Sequence, residues 1–167
     1  MSTTPAVPQI VEQLDALALS ASSAKVLLES VVELLHDNML RYNWVGFYMI
    51  EELPGQEPVL VLGPYRGSMT PHTRIKLNQG ICGAAASTGK TVIVDDVHRD
   101  SRYLACSLET KSEIVVPIFV AAKVVGELDI DSHFLAAFGA TDRQLCEHAT
   151  GLVGQFLAKH PYKLVLK

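Results

Sequence analysis

Hydrophobic positions change their period along the chain. Ile10 to Ala18 reads as a short amphipathic helix. The Ser20 to Ser23 stretch offers caps for a second helix, in which Leu28, Val32, Leu35 and Met39 recur at steps of three and four, with Leu27, Val31 and Leu34 beside them. That stripe suits packing on a sheet. From Asn43 the period falls to two. Trp44 to Glu51 is aromatic and β-branched, Pro54-Gly55 turns the chain, and Pro58 to Leu62 returns it, which predicts an antiparallel hairpin. Arg74 to Leu77 is a further short strand, ended by Asn78-Gln79-Gly80. The Ala-rich run Ile81 to Thr88 predicts a small helix closed by Gly89. Thr91 to Val94 is extended again, and Asp95 to Thr110 reads as loop or mixed structure. Glu113 to Val120 and Val124 to Ile130 are apolar strands joined tightly at 121–123. Thr141 is placed to cap a last helix with Leu145, Ala149, Leu152 and Phe156 on one face.

Strands that meet through hairpins, bracketed by helices, predict an α+β fold: an antiparallel sheet flanked by helices. There is no regular βαβ alternation and no GxGxxG, which excludes a dinucleotide-binding domain of that kind. Without repeats or linkers, residues 1–167 are expected to form one domain, with a helical segment at 8–40, sheet and site at 43–132, and a C-terminal helix at 141–159. A hydrophobic fraction of 49% supports a sizeable core, and a net charge of -4 gives nucleic acid no basic footprint. No apolar run reaches the ~20 residues of a membrane span. Met1 to Gln9 lacks the basic start and apolar stretch of a secretory signal, and the three cysteines include no CxxC pair. A reducing, cytoplasmic setting follows as the expectation.

In that setting each cysteine is either a small buried hydrophobe or a working thiol. Cys82 lies where a glycine-rich turn enters the Ala-rich helix, and the dipole there favours thiolate. Cys106 lies in the loop segment near Arg102, and Cys146 on the C-terminal helix is read as packing. Asp129 and Asp131 share a face at a strand end. Solvated there, they would do nothing; turned into a cavity, one would hold its proton and become an acid. Glu113 starts the preceding strand, within reach of Asp131. Trp44 and Tyr48 are four apart and so face the same side, as core or as pocket wall. His72, His98, His133 and His148 form no zinc-type spacing with the cysteines, so neither metal nor cofactor is expected.

Taken in order, Asn43-Trp44-Val45-Gly46-Phe47-Tyr48, Leu62-Gly63-Pro64-Tyr65, Gly80-Ile81-Cys82-Gly83, Asp95-Asp96-Val97-His98, Ala105-Cys106, Ser112-Glu113-Ile114-Val115-Val116-Pro117-Ile118 and Leu128-Asp129-Ile130-Asp131-Ser132 resemble the free methionine-(R)-sulfoxide reductases, which are stand-alone GAF domains. The resemblance implies a GAF-like fold and reduction of free methionine sulfoxide by a Cys106 nucleophile that becomes a sulfenic acid. It implies Glu113 and Asp131 as the acids on the sulfoxide oxygen, Asp129 beside the substrate ammonium, and Trp44 and Tyr48 around the methyl end. It further implies a disulfide reduced by thioredoxin or a similar thiol, and a homodimer. The pattern breaks at Pro71-His72, where family members commonly carry a first cysteine. Cys82 is then the family-matched thiol left to resolve Cys106. The competing expectation is a non-catalytic GAF module that binds and reports a small ligand.

Overall fold

The computed structural model describes residues 5–105 and 107–164. Its elements run α1 (Val7–Ser20), α2 (Ala24–Asn38), β1 (Trp44–Glu51), β2 (Val59–Arg66), β3 (Arg74–Lys76), α3 (Gly80–Thr88), β4 (Val92–Val94), β5 (Ser112–Val120), β6 (Lys123–Ser132) and α4 (Ala140–Lys159). The strands form one sheet in the order β3-β2-β1-β6-β5-β4, and every neighbouring pair is antiparallel. The α+β class expected from the chain pattern is the class observed.

Alternation along the strands separates two cores. Val45, Phe47 and Met49 of β1, Ile114, Val116 and Ile118 of β5, and Leu128 and Ile130 of β6 face α1, α2 and α4. The opposite face carries Trp44, Tyr48, Leu60, Ile75 and Val115, and α3 packs over it with Ile81, Cys82, Ala85 and Ala86. The period-two pattern thus places the Asp129–Asp131 face against α3.

Local chemistry fixes most boundaries. The Ser23 hydroxyl caps α2 by accepting from the Val26 N–H, and Gly89, at φ 66°, closes α3. Ala121 and Ala122 both adopt positive φ, as a two-residue hairpin turn requires. At α4 the expectation fails. Gly139, not Thr141, is the N-cap, and the Asp142 carboxylate reaches back to accept from the Gly139 N–H at 2.9 Å. A carboxylate in the first turn also meets the positive end of the helix, which a hydroxyl does not. The buried stripe of α4 is Leu145, Cys146, Ala149, Val153 and Leu157, with Leu152 and Phe156 only half-buried beside it. Among the described residues, 95–105 and 107–111 hold one 3-10 turn, Val97–Arg99, and the bidentate Arg102–Asp100 pair at 2.7 Å. That pair lowers the Asp100 carboxyl pKa.

Candidate active site

Register assembles the acidic wall from β5 and β6, with β1 beside it. Trp44 lies opposite Asp131, Gly46 opposite Asp129, and Tyr48 opposite Glu127. Across the other edge of β6, Glu113 pairs with Asp131 and Val115 with Asp129. Glu113, Glu127, Asp129 and Asp131 are all buried, with exposures of 5%, 0%, 3% and 4%. Four carboxyl groups therefore share one water-poor face beneath α3.

The aromatic residues sit where a period of two puts them. The Trp44 ring stacks on Tyr65 at 5.5 Å and on Tyr48 at 6.3 Å, and the indole N–H donates to the Ser68 carbonyl at 3.0 Å. Gly46 makes room for this. A Cβ there would lie 2.7 Å from a Trp44 ring carbon and 2.9 Å from the Tyr65 Cβ. The Tyr48 hydroxyl donates to the His72 carbonyl at 2.8 Å. The His72 Nε2 in turn lies 3.1 Å from the Ala105 carbonyl, so it is the donor nitrogen. The two loops over the site are thereby tied to β1 and to each other.

Two small cavities adjoin the carboxyls. One, about 20 Å3, is lined by Tyr48, His72, Cys82, Leu104, Glu113 and Asp129. The other, also about 20 Å3, lies among Trp44, Met69, Thr110, Asp131 and His133. Each has room for a single water. Neither cavity has room for an amino acid.

Cys82 lies in the first turn of α3 with its sulfur 3.4 Å from Asp129 Oδ2 and 3.9 Å from Glu113 Oε1. The helix dipole that favours thiolate here is outweighed, and Cys82 is the small buried residue of the alternative reading. Burial, and then Asp129, Glu127 and Glu113, hold its pKa well above that of an ordinary thiol. Burial likewise raises Asp131, with Asp129 adding repulsion, and raises Glu127 for the same two reasons. Burial raises Asp129 too, while hydrogen bonds with Glu113 and Cys82 pull it back. Two carboxyl groups in hydrogen-bonding contact require a proton between them, so Glu113 and Asp129 act as a proton-sharing pair.

Cys106 lies outside the described residues. Cys146 is fully buried 3.9 Å from the Tyr42 hydroxyl, its thiol pushed up to about 12 mainly by burial, as befits a packing residue. Glu127 and Tyr65 were not singled out from sequence. Glu127 carried a usable signal: it stands two residues before Asp129 on the same strand and must share its face. Nor did His–Cys spacing anticipate that Cys82, Glu113 and Asp129 would bring donor atoms within 4.8 Å of one another, because these come from three separate elements.

Comparison with known proteins gives a consistent result. A family model described as the GAF domain matches residues 23–158. The free methionine-R-sulfoxide reductase of Escherichia coli (strain K12) is 31% identical over 163 residues, covering 98% of this chain and 95% of that protein. The Saccharomyces cerevisiae protein of the same name is 40% identical over 114 residues, 68% of this chain and 62% of that protein. Among solved structures, a free methionine-R-sulfoxide reductase from Neisseria meningitidis in complex with its substrate superposes with a TM-score of 0.83 at 30% identity, covering 92% of this chain and 90% of that chain. The reduced form from Staphylococcus aureus gives 0.83 at 34% identity, covering 95% and 100%.

Proposed function

The chain belongs to the GAF domain family and, within it, to the free methionine-R-sulfoxide reductases, and from that premise we propose that it reduces free L-methionine-(R)-sulfoxide to methionine with a cysteine thiol as the two-electron donor. The observation that carries the reading is the burial of Glu113, Asp129 and Asp131 side by side, where loss of water raises the pKa of Asp129 and Asp131 and favours their protonated forms.

In this reading the Cys106 thiolate attacks the sulfoxide sulfur while Glu113 or Asp131 gives a proton to its oxygen. The S–O bond breaks, the hydroxyl passes to Cys106 as a sulfenic acid, and methionine leaves reduced by two electrons. The Cys82 thiol then displaces water from the sulfenic acid to form a disulfide, and a thioredoxin-like dithiol returns both cysteines to thiols. The raised pKa of Cys82 makes that second step slow until a base takes its proton, and Asp129, at 3.4 Å, is placed to do so. Asp129 pairs with the substrate ammonium when substrate is bound, and Trp44 and Tyr48 enclose the methyl end. A homodimer and a cytoplasmic, reducing setting complete the proposal. Among the described residues, no helix is long and apolar enough to cross a membrane.

Mass spectrometry after one exposure to the sulfoxide without reductant tests this. One equivalent of methionine is expected, with Cys106 recovered as sulfenic acid or joined to Cys82. Cys106→Ser is expected to release none; release by that variant would remove the nucleophile. Glu113→Gln is expected to lower the rate about 100-fold or more with the fold intact, because an amide supplies no acidic proton. A chain that binds the sulfoxide yet leaves it unreduced would favour the non-catalytic module, to which His72 in place of a cysteine also points.

A further inference from the structure

We propose that Cys82, Glu113, Asp129 and Glu127 form a binding site for a thiophilic divalent cation of the zinc class, which competes with methionine sulfoxide for the acidic wall. Its inhibitory effect rests on the reductase reading; its existence does not. Zn–S bonds of about 2.3 Å and Zn–O bonds of about 2.0 Å at tetrahedral angles put sulfur and oxygen about 3.5 Å apart. The Cys82 sulfur stands 3.4 Å from Asp129 Oδ2 and 3.9 Å from Glu113 Oε1, and the donor atoms of all three residues lie within 4.8 Å of one another. The two sulfur–oxygen separations are close to the edges such a tetrahedron requires.

An independent observation points to Glu127 as a fourth ligand, one that must swing inward to join the group of three. Glu127 is 0% exposed, and neither of its oxygens makes an aligned hydrogen bond, although the carboxyl faces the Cys82 sulfur. Asp129 Oδ1 is likewise without an aligned partner. Buried polar atoms are ordinarily satisfied, and a cation would satisfy these together. The adjoining cavity of about 20 Å3, lined by Cys82, Glu113 and Asp129, is large enough for one desolvated ion. Binding balances by releasing to solvent the thiol proton of Cys82, the proton shared by Glu113 and Asp129, and the proton of Glu127, leaving a thiolate and carboxylates around the cation. It ties up the groups that would bind and protonate the sulfoxide, together with the thiol that would resolve Cys106. No electron transfer is involved.

Cobalt(II) is the probe, added to the reduced full-length Cys106→Ser protein. This variant lacks the proposed nucleophile, so the readout does not depend on catalysis. One equivalent is expected to bring up a near-ultraviolet thiolate-to-cobalt charge-transfer band and the intense visible bands of four-coordinate cobalt. Cys82→Ser is expected to remove the charge-transfer band, and Glu127→Gln to weaken binding tenfold or more, each with unchanged circular dichroism. Absence of the band, or its survival in Cys82→Ser, overturns the site even if the wild-type chain reduces methionine sulfoxide normally. With free zinc held constant by a metal buffer, wild-type inhibition is expected as a raised KM at unchanged kcat; inhibition that the sulfoxide cannot relieve would place the ion elsewhere.

Discussion

Replacing Glu127 with methionine should stabilise the protein. The wild-type side chain occupies a fully buried position between Tyr48 of β1 and Pro117 of β5, with neither oxygen in an aligned hydrogen bond. Leaving a buried polar group unsatisfied costs about 1–3 kcal/mol, and methionine fills a similar volume without that cost. A gain of about 2 kcal/mol is expected, which for a chain of this size raises Tm by about 4–8 °C. The gain should also depend on pH. Burial raises the Glu127 pKa, so the folded protein retains a proton that the unfolded chain releases. Stability from such a group is complete below the unfolded carboxyl pKa and is lost as pH rises toward the folded value. The advantage of methionine should therefore grow with pH above about 4.3, by up to about 1.4 kcal/mol per unit. Urea denaturation of both proteins at pH 5 and pH 7, with a chelator present and m-values compared, measures it. A methionine variant less stable at both pH values, or an advantage that is the same at both, would refute the reasoning.

Gly46→Ala places a methyl group within 2.7 Å of the Trp44 ring; the indole should shift, seen as altered tryptophan fluorescence, with about 1–3 kcal/mol lost from strain and a raised KM. His72→Ala removes the hydrogen bond to the Ala105 carbonyl, so amide exchange should quicken in the peptide bearing Leu104 and Ala105, while denaturation shifts by only about 1 kcal/mol. Tyr42→Phe deletes the hydroxyl that donates to Asp142 at 2.7 Å, for which about 1–3 kcal/mol of destabilisation is expected by urea denaturation, with kcat/KM unchanged because the contact lies on the far face of the sheet.

Strand alternation accounts for most of what could be read from the chain, though not for Tyr42, which precedes β1 and packs on the face opposite to that of Trp44. Period alone separated the helices from the strands and put Trp44 with Tyr48 and Asp129 with Asp131, because side-chain direction along a strand is a local property. Local chemistry likewise named the Ser23 cap and the Gly89 stop. It failed at Thr141, where the Asp142 carboxylate, one residue further on, reached the free N–H of Gly139.

Tertiary structure alone decided what those faces meet. Whether Asp129 and Asp131 are solvated or sheltered depends on α3 closing over them, and no local signal reports that distant helix. The same closure decided between the two readings of Cys82. A helix N-terminus lowers a thiol pKa through a dipole legible in sequence, but three carboxyls from β5 and β6, brought close by register and stripped of water, outweigh it. Electrostatics acts through space and through the local dielectric, so the sequence determined which groups share a face, and the packed fold determined which of them keep their protons.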